Sequence, residues 1–170
     1  MFFSSGKYLL IPTKKNPKFA LAVSSFLIAK NSFNLFNPFS LRAKILKKIA
    51  FFFFVNLNLL SNKLFFFRNN DKSSFIYFLE KKLDCKLISS IYYSPTKDKV
   101  VMQLQNHNAE IIGYLKYPIS EEGVSHIINE KSAIEILSDQ NIVKNYIISD
   151  VFNEVPFLLL KNVEGNIGNP

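Results

Sequence analysis

A lysine and a glutamate fourteen residues apart form the pair in this chain whose types and spacing could do chemistry. Lys116 ends a strand-like run, and Glu130 lies on the apolar face of the helix expected to follow it. An ionised carboxylate left unpaired in a core is very costly, so Glu130 must reach solvent, become protonated or meet a cation. Lys116 is the best nearby cation. The pair therefore suggests a phosphate-handling lysine that is positioned by a carboxylate.

The helix that carries Glu130 is predicted to begin near Ser120. A serine there can accept a backbone N–H, and Glu121 and Glu122 place negative charge at the positive end of the helix dipole. The residues expected on the inward face, at steps of three and four, are Ile127, Glu130, Ile134 and Leu137. Glu130 thus shares this face with three large aliphatic side chains.

Strand-like runs surround this helix on both sides in the sequence. Three are expected before it and two after it, and they cover residues 87–93, 99–105, 111–117, 143–152 and 155–160. Proline and aspartate favour a turn at 94–98, and residues 106–110 connect the next two runs as a hairpin. The predicted fold class is α+β, with an antiparallel sheet of about five strands and one main helix in the order βββαββ.

In this order the segments resemble the amino-terminal lobe of the aminoglycoside phosphotransferase and protein-kinase-like superfamily. The resemblance covers roughly residues 86–168. The segments that carry it are Lys99-Val-Val-Met-Gln-Leu, Gly113-Tyr-Leu-Lys116, Asn129-Glu130 with Leu137, and the hinge-like run from Val155-Pro-Phe-Leu-Leu-Leu160 to Gly165.

The resemblance implies a nucleotide site for ATP with Mg²⁺. Lys116 would contact the α- and β-phosphates, and Glu130 would hold the lysine ammonium in place. The hinge residues expected beside the adenine are Leu158, Leu159, Leu160 and Lys161.

The chain also departs from the family pattern. Residues 94–99 contain no glycine, so the Gly-rich loop that approaches phosphates in protein kinases is missing. No segment resembles a catalytic loop with an aspartate base and a metal-binding asparagine, and no later aspartate motif resembles the Mg²⁺ ligand. No catalytic or metal-ligating residue is therefore predicted. The leading hypothesis is a truncated phosphotransferase-like protein, inactive alone, that needs a separate carboxy-terminal lobe or partner protein to act on a small or sugar-like acceptor.

Other reactive side chains offer little support for an enzyme of a different class. Cys85 is the single cysteine, which excludes an internal disulfide and a multi-cysteine zinc site, and we expect it to be half-buried. His107 and His126 are not part of a pattern that defines a nucleophilic site. Glu121 and Glu122 are adjacent on a helix and point in different directions, so capping charges are expected there.

The first 72 residues differ in composition from the remainder. They hold 12 of the 21 lysines and arginines and one acidic residue, Asp71, for a formal charge of +11, whereas residues 73–170 carry 9 basic and 12 acidic residues, or −3. Fourteen of the 18 phenylalanines also precede residue 68. We therefore predict a basic, Phe-rich extension over residues 1–72 and the kinase-like lobe over 73–170. Residues 40–60 and 73–83 are expected to form helices that pack on the β-lobe with their phenylalanines inward, and loops are expected at 31–38 and 68–72.

This composition supports an alternative hypothesis, a noncatalytic protein that binds a membrane surface or another protein through its basic aromatic region. A third interpretation is a gene fragment without a function of its own. Nothing resembles a named nucleic-acid module, so no specific nucleic-acid partner is expected. The apolar run 49–60 is too short for a membrane span, which needs about 20 residues. Residues 19–29 resemble a signal peptide but begin late and lack a clear cleavage site. The predicted location is cytoplasmic, with peripheral membrane contact as an option.

Overall fold

The chain builds one antiparallel sheet with helices on both of its faces. The computed structural model describes residues 2–12, 15–35, 41–53, 64–94, 98–139 and 146–162. Within these ranges there are eight strands and four helices. The strands are β1 (Gly6–Pro12), β2 (Pro17–Ala22), β3 (Leu64–Phe67), β4 (Ile88–Ser94), β5 (Lys99–Gln105), β6 (Ile111–Pro118), β7 (Tyr146–Phe152) and β8 (Val155–Lys161). The helices are α1 (Phe26–Leu35), α2 (Leu41–Phe51), α3 (Phe75–Leu83) and α4 (Glu121–Asp139).

The sheet confirms the α+β class and the antiparallel arrangement, but the predicted strand number is wrong. Eight strands, not about five, follow one another in the order β3-β1-β2-β4-β5-β6-β8-β7. Three of them, β1, β2 and β3, come from the first 72 residues, so the described part of this region is not a purely helical extension but contributes strands to the sheet as well as helices. Strand β2 pairs with β4 through Phe19 opposite Tyr92 and Ala20 opposite Ile91, which joins these strands to the others.

Strand β1 was not predicted, because its sequence contains a continuous apolar run. Tyr8, Leu9 and Leu10 are 0%, 0% and 8% exposed, although successive strand residues point to opposite faces of a sheet. Both faces of β1 are therefore covered, and the alternation of apolar and polar residues that marks a half-buried strand does not occur.

The βββαββ segment matches the sequence prediction closely. Strand β5 has the predicted bounds, β6 and β8 extend one residue beyond the predicted runs, and β4 is shifted by one residue at both ends. Strand β7 begins at Tyr146, and predicted positions 143–145 lie outside the described residues. The turn from β7 to β8 uses Asn153 and Glu154 with φ of 47° and 66°, a left-handed conformation at both central positions that suits a tight hairpin.

The helix predictions have mixed outcomes. Helix α3 begins one residue after Ser74, whose hydroxyl accepts the Tyr77 backbone N–H, and this agrees with the predicted helix at 73–83. Helix α2 accounts for part of the predicted helix at 40–60, of which positions 40 and 54–60 lie outside the described residues. The predicted loop at 31–38 is wrong for residues 31–35, which belong to α1, while positions 36–38 lie outside the described residues. Residues 68–72 contain no helix or strand, as predicted.

One face of the sheet, the α3 face, carries the larger apolar core. Helix α3 contributes Phe75, Ile76 and Leu79, which are at most 2% exposed. The Phe75 ring contacts five other rings, those of Phe2, Phe78, Tyr117, Phe152 and Phe157, at centroid distances of 5.0–6.4 Å. This cluster joins the amino-terminal segment to β6, β7 and β8.

The opposite face, the α4 face, is covered by α1 and α4 and has a polar centre. Helix α1 packs over β2, β4 and β5, and α4 packs over β6 and β8. Four fully buried polar residues bond to each other beneath α1, namely Ser32, Ser90, Gln103 and Gln105, at donor–acceptor distances of 2.7–3.2 Å. Because each of these groups has a partner, α1 is held on the sheet by hydrogen bonds as well as by apolar contacts.

Candidate functional site

Strand β6 places Lys116 on the α4 face. Successive residues of the strand alternate between faces, so Leu115 is fully buried on the α3 face and Lys116 points the other way. Lys116 pairs in register with Val101 of β5 on one side and Leu158 of β8 on the other. A lysine flanked on both sides by paired strands has its backbone fixed, and only its flexible stem remains adjustable.

The start of α4 determines where Glu130 lies. The Ser120 hydroxyl accepts the Gly123 backbone N–H at 3.0 Å, which confirms the predicted cap. Gly123 packs directly on the chain between β4 and β5, where a Cβ atom would lie 2.2 Å from the Asp98 carbonyl oxygen. This close approach needs a glycine and brings the first turn of α4 against the sheet. Two turns later, Glu130 faces β6.

The expected contact between Glu130 and Lys116 is present. The Lys116 ammonium donates to Glu130 Oε1. A second cation, Lys99 at the start of β5, lies with Nζ 3.4 Å from Glu130 Oε2. The side chains of Lys99, Lys116 and Glu130 are 16%, 22% and 26% exposed, so the three charges, here called the Glu130 triad, are partly shielded from water.

The electrostatics of the triad favour an ionised carboxylate with excess positive charge. Burial raises the pKa of Glu130, but the hydrogen bonds and charges of Lys116 and Lys99 outweigh it and hold the pKa below the usual 4.5. Two ammonium groups and one carboxylate leave a formal charge of +1. A partly shielded site with net positive charge attracts anions more strongly than a fully solvated lysine does.

Lys99 is the member of the triad that sequence analysis did not select. Its signal lies in the strand register, because Lys99 and Val101 share a face of β5 and Val101 lies opposite Lys116. Lys99 and Glu130 are 31 residues apart in the chain, so their contact follows from the packing of α4 on the sheet rather than from a local pattern.

The predicted inward-facing residues of α4 are buried or half-buried in the first part of the helix but not at its end. Ile127 is 2% exposed and Ile134 is half-buried, whereas Leu137 is 37% exposed. The expectation that Leu137 faces inward is therefore wrong. Helix α4 contacts β6 and β8, its buried residues Gly123 and Ile127 lie in its first half, and Glu130 is at its middle.

The four predicted hinge residues differ in accessibility. Leu158 and Leu159 are both 0% exposed, with Leu158 paired to Lys116 and Leu159 paired to Leu115 on β6. Leu160 is half-buried and Lys161 is exposed at the end of β8. In this arrangement Leu160 and Lys161 have surface to offer a ligand, while Leu158 and Leu159 support the strand beside Lys116.

Other reactive groups lie outside the triad. Cys85 is half-buried as predicted, and burial, followed by the charges of Glu80 and Asp84, raises the pKa of its thiol, which keeps it protonated and weakly nucleophilic. His126 is 50% exposed and 3.9 Å from Glu122. Within the described ranges, no group of three His, Cys, Asp or Glu side chains could hold a metal ion.

Cavities and helix length add two further observations. Cavities of about 600, 590 and 400 Å³ occur between α3 and the amino-terminal segment, between α1 and α2, and between α4 and β7, and their walls do not include Lys116 or Glu130. Of the helices in the described ranges, none combines the length and apolar character needed to cross a membrane.

Comparison with known proteins gave no relatives. No protein-family model, no curated protein and no solved structure matches this chain.

Proposed function

We propose that β4–β8 and α4 form a nucleotide-binding lobe of the phosphotransferase-like type. In this proposal Lys116 contacts the α- and β-phosphates of ATP, and Glu130 holds the lysine ammonium in place. The observation that carries the proposal is the contact of Lys116 with Glu130, from the third strand of a βββαββ unit to the helix that follows it. A lysine and a glutamate in these two positions are the pair that protein kinases need in place for phosphoryl transfer.

The strand order supports this assignment. Strand β8 lies between β6 and β7, so the end of the unit runs beside the strand that carries Lys116. Leu160 pairs with Tyr114, two residues before Lys116 on the same face of β6. An adenine beside Leu160, at the end of β8 next to Lys161, would therefore lie on the same face of the sheet as Lys116.

Phosphoryl transfer needs more than this lobe. The reaction depends on an aspartate that orients the acceptor hydroxyl and on Mg²⁺ held by further ligands. The Glu130 triad supplies charge stabilisation but neither of these groups. We therefore place the lobe in a two-part site, in which a carboxy-terminal lobe or partner protein supplies the base and metal ligands for a small or sugar-like acceptor.

Calorimetric titration with Mg-ATP tests this function. We expect binding by the natural chain and weaker binding by Lys116→Gln, because the variant loses a charge-assisted contact to phosphate. Lys131→Gln is the matched control, since Lys131 is adjacent to Glu130 in sequence but pairs with Glu135 and is 45% exposed. Equal affinity of the natural chain and Lys116→Gln would contradict the site.

A second candidate function is attachment to an anionic membrane surface, and the surface of α2 favours it. A groove of about 590 Å³ between α1 and α2 is lined by Lys30, Lys44, Lys47 and Lys48 over an apolar floor. Apolar side chains beside the groove are exposed, including Leu41 (74%), Ile45 (49%) and Phe52 (52%). No aspartate or glutamate precedes residue 71 in the sequence. Lysines beside exposed apolar groups on one helix suit the interface of anionic lipids.

This second candidate requires point substitutions, because removing residues 1–72 would delete β1, β2 and β3. We expect Lys44→Gln with Lys48→Gln to lower sedimentation with phosphatidylserine-containing vesicles, and Lys81→Gln with Lys131→Gln to leave it unchanged. The difference should shrink at high salt. Equal sedimentation of the two double variants would reject this surface.

A further inference from the structure

Strand β5 begins with a cation, Lys99, to which the function proposed above assigns no group of the nucleotide. Lys99 lies at the end of the connection between the first two strands of the βββαββ unit. In protein kinases this connection is the Gly-rich loop, whose backbone approaches the phosphates. Residues 94–99 contain no glycine, so this chain lacks the residue type that permits the closest backbone approach in that loop.

The position of Lys99 relative to Lys116 is fixed by the sheet. Lys99 pairs with Pro118 and Val101 pairs with Lys116, so the two lysines lie on adjacent strands and on the same face. Both reach the same carboxylate, Lys116 at Oε1 and Lys99 at Oε2. One carboxylate therefore orients two ammonium groups toward a common region of the α4 face.

The unused N–H donors and the net positive charge of the Glu130 triad point to an anionic ligand. An ammonium has three N–H donors, and the Lys99 contact with Glu130 is long, at 3.4 Å. Glu130 carries one negative charge against the two positive charges of the lysines. A polyphosphate would supply both the missing acceptors and the missing charge.

We propose that Lys99 is a second phosphate-binding residue, which binds the nucleotide polyphosphate together with Lys116 and replaces the backbone donors of the absent Gly-rich loop. This inference rests on the proposed nucleotide-binding function and deepens it by assigning a ligand group to Lys99. It predicts that recognition of the phosphates is divided between two side chains on β5 and β6.

The test compares ATP with adenosine as titrants for the natural chain, Lys99→Gln, Lys116→Gln and the control Lys131→Gln. We expect Lys99→Gln to weaken ATP binding about tenfold or more, the loss that follows from one charge-assisted hydrogen bond. Adenosine affinity should stay within about twofold of the natural chain, because adenosine has no phosphate to contact. Lys99→Arg should retain most of the ATP affinity, since it keeps the charge at this position.

The outcomes distinguish the role of Lys99 from the nucleotide-binding function on which it rests. ATP binding that depends on Lys116 but not on Lys99 overturns the role of Lys99 and leaves the nucleotide lobe in place. Equal losses for ATP and adenosine in Lys99→Gln overturn it as well, because they show that Lys99 only supports the fold. If the natural chain does not bind ATP, both proposals fail. Circular dichroism and thermal unfolding of every variant identify any that does not fold.

Discussion

Glu130→Gln should destabilise the fold, because it leaves Lys99 and Lys116 close together without their shared carboxylate. Fully exposed ion pairs contribute about 0–1 kcal/mol, and removing one partner of a buried pair costs about 3–5 kcal/mol. The three side chains are 16–26% exposed, which places this site between the two cases. We expect a loss of about 2 kcal/mol in the free energy of unfolding. For a chain of this length the melting temperature should fall by about 4–8 °C.

The assay is urea unfolding followed by circular dichroism, with Glu135→Gln as the matched control. Glu135 lies on the same helix and pairs with Lys131 at 3.7 Å, but both side chains are 45% exposed. The control should change stability by less than about 0.5 kcal/mol. Equal losses in Glu130→Gln and Glu135→Gln would refute the argument that the triad is shielded and shares one carboxylate.

The pH dependence gives a second readout of the same substitution. The pKa of Glu130 in the folded chain lies below the ordinary 4.5, so the folded state binds fewer protons at this group than the unfolded state does. Its stabilising contribution is therefore complete above pH 4.5 and is lost as the pH falls through the folded pKa. The stability difference between the natural chain and Glu130→Gln should shrink on acidification from neutral pH toward about pH 3. A difference that stays constant over this range would show that Glu130 does not titrate in the way described.

Two further predictions concern the packing that positions the site. Gly123→Ala should destabilise the chain by about 1–3 kcal/mol, because the new Cβ meets the Asp98 carbonyl. This loss should exceed the gain from the better helix propensity of alanine. A higher melting temperature of the variant would contradict the contact. Phe75→Ala should lower the free energy of unfolding in urea by about 3–5 kcal/mol, because Phe75 is 1% exposed at the centre of the aromatic cluster. The control Phe66→Ala, at a position that is 67% exposed, should change it by about 0.5 kcal/mol or less. Similar losses in the two variants would show that the cluster does not support the fold.

The βββαββ segment could be predicted from sequence because its signals are local. The Ser120 cap gives the start of α4, and the paired turn residues Asn153 and Glu154 separate β7 from β8. Lys116 was selected because it ends the strand-like run just before α4 and is the best nearby cation for Glu130. The pairing of Lys116 with Glu130 then followed from the cost of an unpaired carboxylate.

The elements that were not predicted could not be found from local signals, because they are determined by contacts between residues distant in sequence. Residues 31–35 read as a loop because asparagine and serine favour turns, yet the Asn31 amide donates to the Ala109 carbonyl at 2.6 Å and Ser32 is fully buried. These contacts form only when α1 lies on the sheet, so tertiary packing overrides local preference. Lys99 was missed for a similar reason, since its contact with Glu130 needs the strand register and the docking of α4 together.

The order of strands in the sheet has a consequence for biosynthesis. Strand β2 is completed long before its neighbour β4, and the Ser4 backbone N–H donates to the Ser89 hydroxyl across 85 residues. More than half of the chain must therefore be synthesised before β2 can pair with β4. Such long-range pairing slows folding and leaves apolar surface exposed in the meantime. We therefore expect apolar side chains of β1 and β2 to stay accessible in the nascent chain until β4 has been synthesised.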